Sequence, residues 1–290
     1  MITVAIPTFN RGAILVETIG RLIALEVRAD AILIVDQTPL HPPEVESQLE
    51  AWSKEGTIRW LRLPQPSIPK AMNRALREVG SPVILFLDDD VEPSPGLIAA
   101  HAAAHRDAGI WAVVGQVLQP GESPQHFPRP GDDLEFRFNH DEAADVTNVI
   151  ACNLSVKGEK AIGVGGFDEN YIGAAYRFET DFSLRVAGAG GIVRFEPLAS
   201  VRHLKLATGG LRSYGDHLVT ASPLHSVGDY YFALQHRRDL ARYVGRRLLK
   251  NVITRYHVSH PWTIPTKLVG EFRGWMLARR LRRGGLKLMR

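Results

Sequence analysis

The sequence predicts an α/β fold: a mostly parallel sheet with helices on both faces, followed by a helical C-terminal extension. Three observations carry that expectation. First, short apolar runs at 2–6, 31–35, 58–63 and 83–87, rich in β-branched and aliphatic residues, alternate with stretches of helical length at 13–25, 44–54 and 70–79. Parallel neighbours need such crossovers, because a chain leaving one strand must travel back before it can run alongside itself. Second, the carboxyl ends of these runs turn polar, at Pro7-Thr8-Phe9-Asn10-Arg11, Asp36-Gln37-Thr38 and Asp88-Asp89-Asp90. Ligands of open α/β sheets bind at those ends. Third, charge is divided along the chain. Residues 1–203 hold 18 Lys and Arg against 27 Asp and Glu, whereas residues 204–290 hold 17 against 4.

Each later element follows from the same signals. A helix at 95–107 and a strand at 111–118 continue the alternation, and the Pro- and Gly-rich stretch 120–133 reads as a loop. Residues 146–156 are strand-like, Gly163–Gly166 is a turn, 179–187 is helical, and 192–195 and 200–203 are strands. Beyond Gly209-Gly210 the pattern changes. Val227, Tyr230, Tyr231, Leu234, Val244 and Leu248 recur at three- and four-residue spacing with arginines between them, and after Pro261 and Pro265 a second basic amphipathic segment covers 267–288. The expected organisation is a body over 1–210, in halves 1–118 and 119–210, and a basic helical extension over 211–290.

Composition narrows the function classes. With 290 residues, 45% of them hydrophobic and 23% charged, the chain can bury a sizeable core, which excludes a disordered or collagen-like polymer. Cys152 is the only cysteine, so no intrachain disulfide and no cysteine-based zinc site is expected. The first residues read as a strand rather than a signal peptide, and no apolar run approaches the roughly 18 residues of a spanning helix. A cytoplasmic protein is expected, with any membrane contact peripheral. A basic extension on an acidic body suits an anionic partner such as lipid headgroups, although a solvated helical surface has the same composition.

The sharpest local feature is Asp88-Asp89-Asp90, three carboxylates following a wholly apolar strand. Adjacent negative charges repel one another, and a divalent cation, Mn or Mg, relieves that repulsion while leaving coordination positions for phosphate oxygens. The other reading is an acidic helix start before Pro93-Ser94-Pro95, where carboxylates suit the helix dipole. Asp36 can accept an N–H, and Thr8, Asn10 and Arg11 can hydrogen-bond a ligand at these strand ends.

In order along the chain, Val4–Arg11, Ile34–Thr38, Pro69–Ala75, Asp88–Asp90, Asn153-Leu154-Ser155, Gly165–Glu169 and Phe178–Arg185 resemble the motifs of the inverting family 2 glycosyltransferases. Those enzymes have the GT-A fold. The resemblance spans residues 2–210 and implies a nucleotide-binding half over 1–118 and an acceptor half over 119–210. It implies transfer of a sugar from a nucleoside diphosphate donor, UDP- or dTDP-type, to a hydroxyl of a glycan or lipid-linked acceptor. Pro7, Thr8, Asn10, Arg11, Asp36, Lys70, Asn73, Asp88 and Asp89 would then face the nucleotide sugar. The resemblance makes the partner of Asp36 the imide N–H of a uracil-type base, and those of Thr8, Asn10 and Arg11 the base and its ribose. Asn153, Gly166 and Phe167 would lie on the acceptor side, and Asp88 and Asp90 would hold the metal.

Family members carry an adjacent Glu-Asp pair at the start of the acceptor-side helix. Here Phe178 and Glu179 occupy those places, so Glu179 inherits the general base, with Asp181 in reserve. Asp181 can equally pair with Arg185 one turn on. In several relatives a histidine at the place of His203 meets the metal or diphosphate; a strand-end histidine satisfied by backbone is the alternative. Gly209-Gly210 beyond it have the character of a lid hinge. His101 and His105 have the spacing of a helical metal pair, but Ala102 replaces the glutamate of a metalloprotease motif, so they are expected to be exposed helix residues.

Two rival classes explain less. A nucleotidyltransferase would want a Gly-rich basic loop near the N-terminus, and Pro7–Arg11 has no glycine. A non-enzymatic binder of anionic polymers would use the extension but leave the acidic body idle, and no nucleic-acid module is legible, so nucleic acid is not an expected partner.

Overall fold

The computed structural model describes residues 1–127, 134, 136–206, 208–211, 216–237 and 239–289. Much of the loop expected at 120–133 lies outside them. The first half alternates as its periodicity requires: β1 (Ile2–Thr8), α1 (Ala13–Ile23), β2 (Ala31–Asp36), α2 (Pro43–Lys54), β3 (Arg59–Arg62), α3 (Ile68–Glu78) and β4 (Val83–Leu87). There follow β5 (Val91–Pro93), α4 (Leu97–Ala104), β6 (Ile110–Leu118), β7 (Ala144–Asp145), β8 (Asn153–Lys157), α5 (Gly158–Gly163), α6 (Phe178–Gly188) and β9 (Ile192–His203). The extension contains α7 (Asp216–Val219), α8 (Val227–His236), α9 (Leu240–Val252), α10 (Arg255–Ser259) and α11 (Ile264–Arg283).

These strands form one nine-stranded sheet in the order β3-β2-β1-β4-β8-β6-β9-β5, with β7 on β9. The strands β3, β2, β1 and β4 are parallel, β8 lies antiparallel between β4 and β6, and β6 is parallel to β9. Register places the polar strand ends. Thr8 pairs with Asp36, and Ala5 pairs with Phe86, so Thr8 comes level with the triple aspartate. At the far edge, antiparallel pairing sets Val91 opposite His203, which returns the end of β9 to the residue after Asp90.

Side-chain alternation divides the core into two layers. Val4, Ile6, Ile34, Leu85 and Leu87 pack with α1, α2 and α4 on one face. Ala5, Leu33, Val35, Phe86 and Leu154 pack with α3, α6 and α8 on the other. The extension therefore does not begin outside the body. Val227, Tyr230, Tyr231 and Phe232 of α8 share the layer of Phe86 and Phe167, each large side chain contributing roughly 1.5–3 kcal/mol of burial.

Several expected elements differ in detail. The strands expected at 192–195 and 200–203 are one strand, because β9 passes Pro197 through a register irregularity between Glu196 and Ser200. Of the run 146–156 only the part from Asn153 onward is a named strand, in β8, and the short β7 precedes the run. The first amphipathic segment is interrupted before Asp239, whose carboxylate accepts from Arg242 N at 3.1 Å and starts a new helix.

His101 and His105 are buried rather than exposed. They occupy the inner face of α4, where they cap a polar chain running into β8. His101 Nε2 lies 2.8 Å from Asn153 Oδ1, and Ser155 Oγ lies 2.8 Å from both His101 Nδ1 and His105 Nε2. Asn153 Nδ2 donates to the carbonyls of Gln116 and Ala199, so its oxygen accepts and His101 donates from Nε2. Both rings are held neutral. Burial pushes His101 down to about 4 and His105 down to about 3.

Since the unfolded chain binds these protons near pH 6.5 and the folded chain does not, stability is complete above that value and is lost as pH falls toward 4. Urea titrations between pH 7 and 4 are expected to show a loss of at least about 3 kcal/mol, with a shallower pH dependence in His105→Gln.

Candidate active site

The carboxyl edge of the sheet gathers Asp88, Asp90 and His203, whose potential ligand atoms all lie within 4.8 Å of one another. Asp90 is fully buried; His203 Nε2 lies 3.1 Å from its Oδ1 and 3.7 Å from Asp88 Oδ2. Asp90 Oδ2 accepts from the Leu206 backbone at 3.2 Å, and His203 Nδ1 faces Gln119 Oε1 at 3.2 Å. Burial works against ionisation of Asp90, but the hydrogen bond and charge of His203 and the charge of Arg11 outweigh it, holding the carboxyl below its ordinary value. His203 is correspondingly raised; burial opposes its charge, while Asp90 and Asp88 favour it. Two hard oxygen donors and an imidazole nitrogen, with the far ring nitrogen directed to Gln119, form a donor set that fits Mn or Mg.

Asp89 turns the other way. It is buried beside Arg11, whose Nε lies 3.0 Å from its Oδ1, and burial pushes it up to about 7. Arg11 also reaches Asp90 Oδ2 at 3.3 Å and donates to the Thr208 carbonyl at 2.7 Å. The expectation that Arg11 is free to hold a ribose is thus replaced by a cation spent on the acidic cluster. The segment after His203 lies over the first-strand loop: Gly210 N donates to Phe9 O at 2.8 Å, and at Gly209, with φ +78°, a Cβ would collide with the Asn10 carbonyl. Asn10 itself is exposed at φ 55° and donates from its backbone to Thr38 Oγ1. Pro7 is half-buried and Thr8 buried at the end of β1.

Asp36 is not placed to read a base. Its side chain is fully buried, Oδ1 accepts from Thr38 N at 2.8 Å, and Oδ2 takes His41 Nε2 at 2.6 Å and Trp60 Nε1 at 2.9 Å. The carboxylate anchors the loop after β2. His41 and Trp60 gave no sequence signal, since they lie on a loop and a short strand whose pairing with β2 only the fold creates.

Glu179 and Asp181 occupy the first turn of α6. Glu179 is 8% exposed. Asp181 is fully buried and divided between Arg185, at 2.9 and 3.0 Å, and His236 Nε2 at 2.7 Å. Its acidity therefore fastens α6 to α8. The turn is tied to the metal-side strand through aromatic rings. Phe86, two residues before Asp88, meets Phe167 edge-on at 5.6 Å, and Phe167 contacts Phe178 at 5.7 Å and Phe182 at 4.5 Å.

Three other expected contact residues are internal. Asn73 is fully buried; its amide donates to Phe167 O and accepts from Phe167 N, both at 2.8 Å, so it pins the Gly166 loop instead of facing the donor. Asn153 is spent on the polar chain behind β8, and Phe167 on the aromatic stack. Lys70 is half-buried in the first turn of α3, and no hydrogen bond or ion pair holds its ammonium among the described residues. Gly166, at φ +62°, lies under Met289. The segment after α11 runs along this loop: Lys287 N donates to Asp168 Oδ1, Glu169 N to Lys287 O and Met289 N to Gly165 O.

The model of the family described as glycosyl transferase family 2 matches residues 3–157, more than half of the chain. The chain belongs to glycosyltransferase family 2. The match covers Asp88 and Asp90 and ends with β8, whereas the α6 carboxylates and His203 lie beyond it. No curated protein matches the sequence.

Solved structures agree on the GT-A fold. A mannosyltransferase from Pyrobaculum calidifontis in complex with GDP-Man and Mn2+ is similar with a TM-score of 0.57 at 16% identity, over 98% of this chain and 79% of that one. GalNAc-T7 with UDP, GalNAc and Mn2+ is similar with 0.59 at 16%, over 81% of this chain and 50% of that one. S. aureus TarS is similar with 0.54 at 10%, over 96% and 55%. The chain thus spans about half the length of the last two.

Because Asn73 serves both backbone groups of Phe167, Asn73→Ala is expected to lower stability by about 2–4 kcal/mol in urea denaturation.

Proposed function

We propose that the chain is a metal-dependent inverting glycosyltransferase that moves a sugar from a nucleoside diphosphate donor to a hydroxyl of a glycan or lipid-linked acceptor. The observation that carries this reading is the convergence of Asp88, Asp90 and His203 at the carboxyl edge of the sheet in a family 2 chain. These residues would hold the divalent cation, Mn or Mg, which supplies positive charge for the departing diphosphate when bound. The exposed Asn10 and the ammonium of Lys70 are the groups offered to the nucleotide.

Glu179 takes the proton from the acceptor hydroxyl. It stands on α6 at the place where the family resemblance puts the base, whereas Asp181 is committed to Arg185 and His236. The burial of Glu179 limits water near the attacking oxygen, so the hydroxyl competes with less solvent for the anomeric carbon. Inversion follows from a single displacement in which the base and leaving group lie on opposite sides of that carbon. Pyrimidine selection by Asp36 forms no part of this reading, because its oxygens are already engaged.

Mn2+ is expected to raise the melting temperature of the wild-type chain, and Asp90→Asn to remove that increase; an unchanged increase in the variant would refute the metal assignment. Glu179→Gln is expected to lower kcat about a thousandfold while keeping the Mn2+ effect. Asp181→Ala should cost about 3 kcal/mol of stability, read by urea denaturation. Near-full transfer by Glu179→Gln, with a nucleotide sugar found by thermal shift, would remove Glu179 as base.

A further inference from the structure

The extension has two apolar surfaces, and the fold uses one of them. On α11, Lys267, Gly270, Glu271, Gly274 and Ala278 are buried against the body, with Ser226 Oγ donating to Gly270 O and Tyr230 Oη donating to Glu271 at 2.7 Å. At 100° per residue these positions form one stripe. The opposite stripe holds Leu268, Val269, Phe272 and Met276, all exposed, and Phe272 is 65% exposed. One turn further on, Arg279, Arg280 and Arg283 continue that outer side, and all three are exposed. Just before α11, Val258 and Trp262 are each 70% exposed, and Leu249 and Ile253 at the end of α9 are exposed as well. Water-facing helices do not ordinarily keep a Trp, a Phe and several aliphatic side chains in one stretch.

Charge identifies what covers this surface. Residues 240–290 hold 13 Lys and Arg and a single acidic residue, Glu271. Glu271 is buried and consumed by Arg247 and Lys267 at 3.0 Å each. The outer side therefore presents cations with no acidic side chain among them. Two copies of this chain meeting through it would bring like charges together. A nucleic acid would pair with the arginines but leave Ile253, Val258, Val269 and Met276 without apolar partners.

A bilayer with anionic headgroups satisfies both components. Its headgroups take the arginines, and its acyl boundary takes the Trp, Phe and aliphatic side chains. We propose that the outer stripe of α11 and the segment 249–262 form a docking surface for an anionic lipid bilayer, with Trp262 and Phe272 inserted below the headgroups. No described helix is long and apolar enough to cross a membrane, so the contact is a surface one. This inference is independent of the transfer chemistry; it supplies the place at which a lipid-linked acceptor would be met.

Flotation of the full chain with phosphatidylcholine vesicles containing about 30% phosphatidylglycerol, at roughly 0.1 M salt, tests it. The chain is expected to float with these vesicles, to stay behind with pure phosphatidylcholine, and to be released near 0.5 M salt. Trp262→Ser and Phe272→Ser, both exposed and thus without a folding role, are each expected to weaken partitioning about tenfold while circular dichroism and melting temperature stay unchanged. Brominated lipids should quench fluorescence in the wild type and markedly less in Trp262→Phe.

Absence of flotation, or flotation indifferent to both substitutions, would overturn the proposal. So would retention on single-stranded RNA without vesicle binding, or a dimer that Phe272→Ser dissolves. The Mn2+ effect on melting reads the Asp88–His203 cluster and is unaffected by these substitutions, so failure of either reading leaves the other standing.

Discussion

Repulsion among three adjacent carboxylates organises the active edge of this molecule. Asp88, Asp89 and Asp90 end a strand buried on both faces, and a desolvated anion needs a partner. The fold divides them. Arg11 arrives from the end of β1 to serve Asp89 and Asp90, and His203 arrives from the end of β9 to serve Asp90 and Asp88. Both arrivals depend on strand register, β1 against β4 and β9 against β5. The sheet order is thus inseparable from the electrostatics of its carboxyl edge.

The second acidic cluster obeys the same constraint with a different solution. Asp181 is neutralised by a cation on its own helix and an imidazole on α8, while Phe167, Phe178 and Phe182 fill the space beside Phe86. Aromatic packing fixes α6 against β4 through side chains that carry no charge.

Residues whose role follows from local pattern were legible in the sequence. The alternation of apolar runs predicted β1 to β4 and their helices, and the polar strand ends pointed to Asp88 and Asp90 at the carboxyl edge, whereas His203 entered only through the family resemblance. Asn73 and Asn153 were not legible, because an asparagine that braces a backbone loop and one that touches a ligand have the same local surroundings. The partners of Asp36 were not legible for a similar reason: His41 and Trp60 are brought to it by a loop and by a neighbouring strand. The burial of His101 and His105 was not legible, because Ala-rich α4 shows little contrast between its faces; only the polar chain through Ser155 to Asn153 explains why histidines occupy the inner one. The extension was legible as basic and amphipathic, yet the stripe picked out by spacing, Val227, Tyr230 and Tyr231, is the one that completes the core.

The backbone pairing between residues 287–289 and the loop 165–169 joins the last described residues of the chain to a loop that contains Phe167 and is braced by Asn73. An affinity handle fused at this end would strain the pairing, whereas one fused ahead of Met1 starts from the opposite ends of the strands, away from the carboxyl edge.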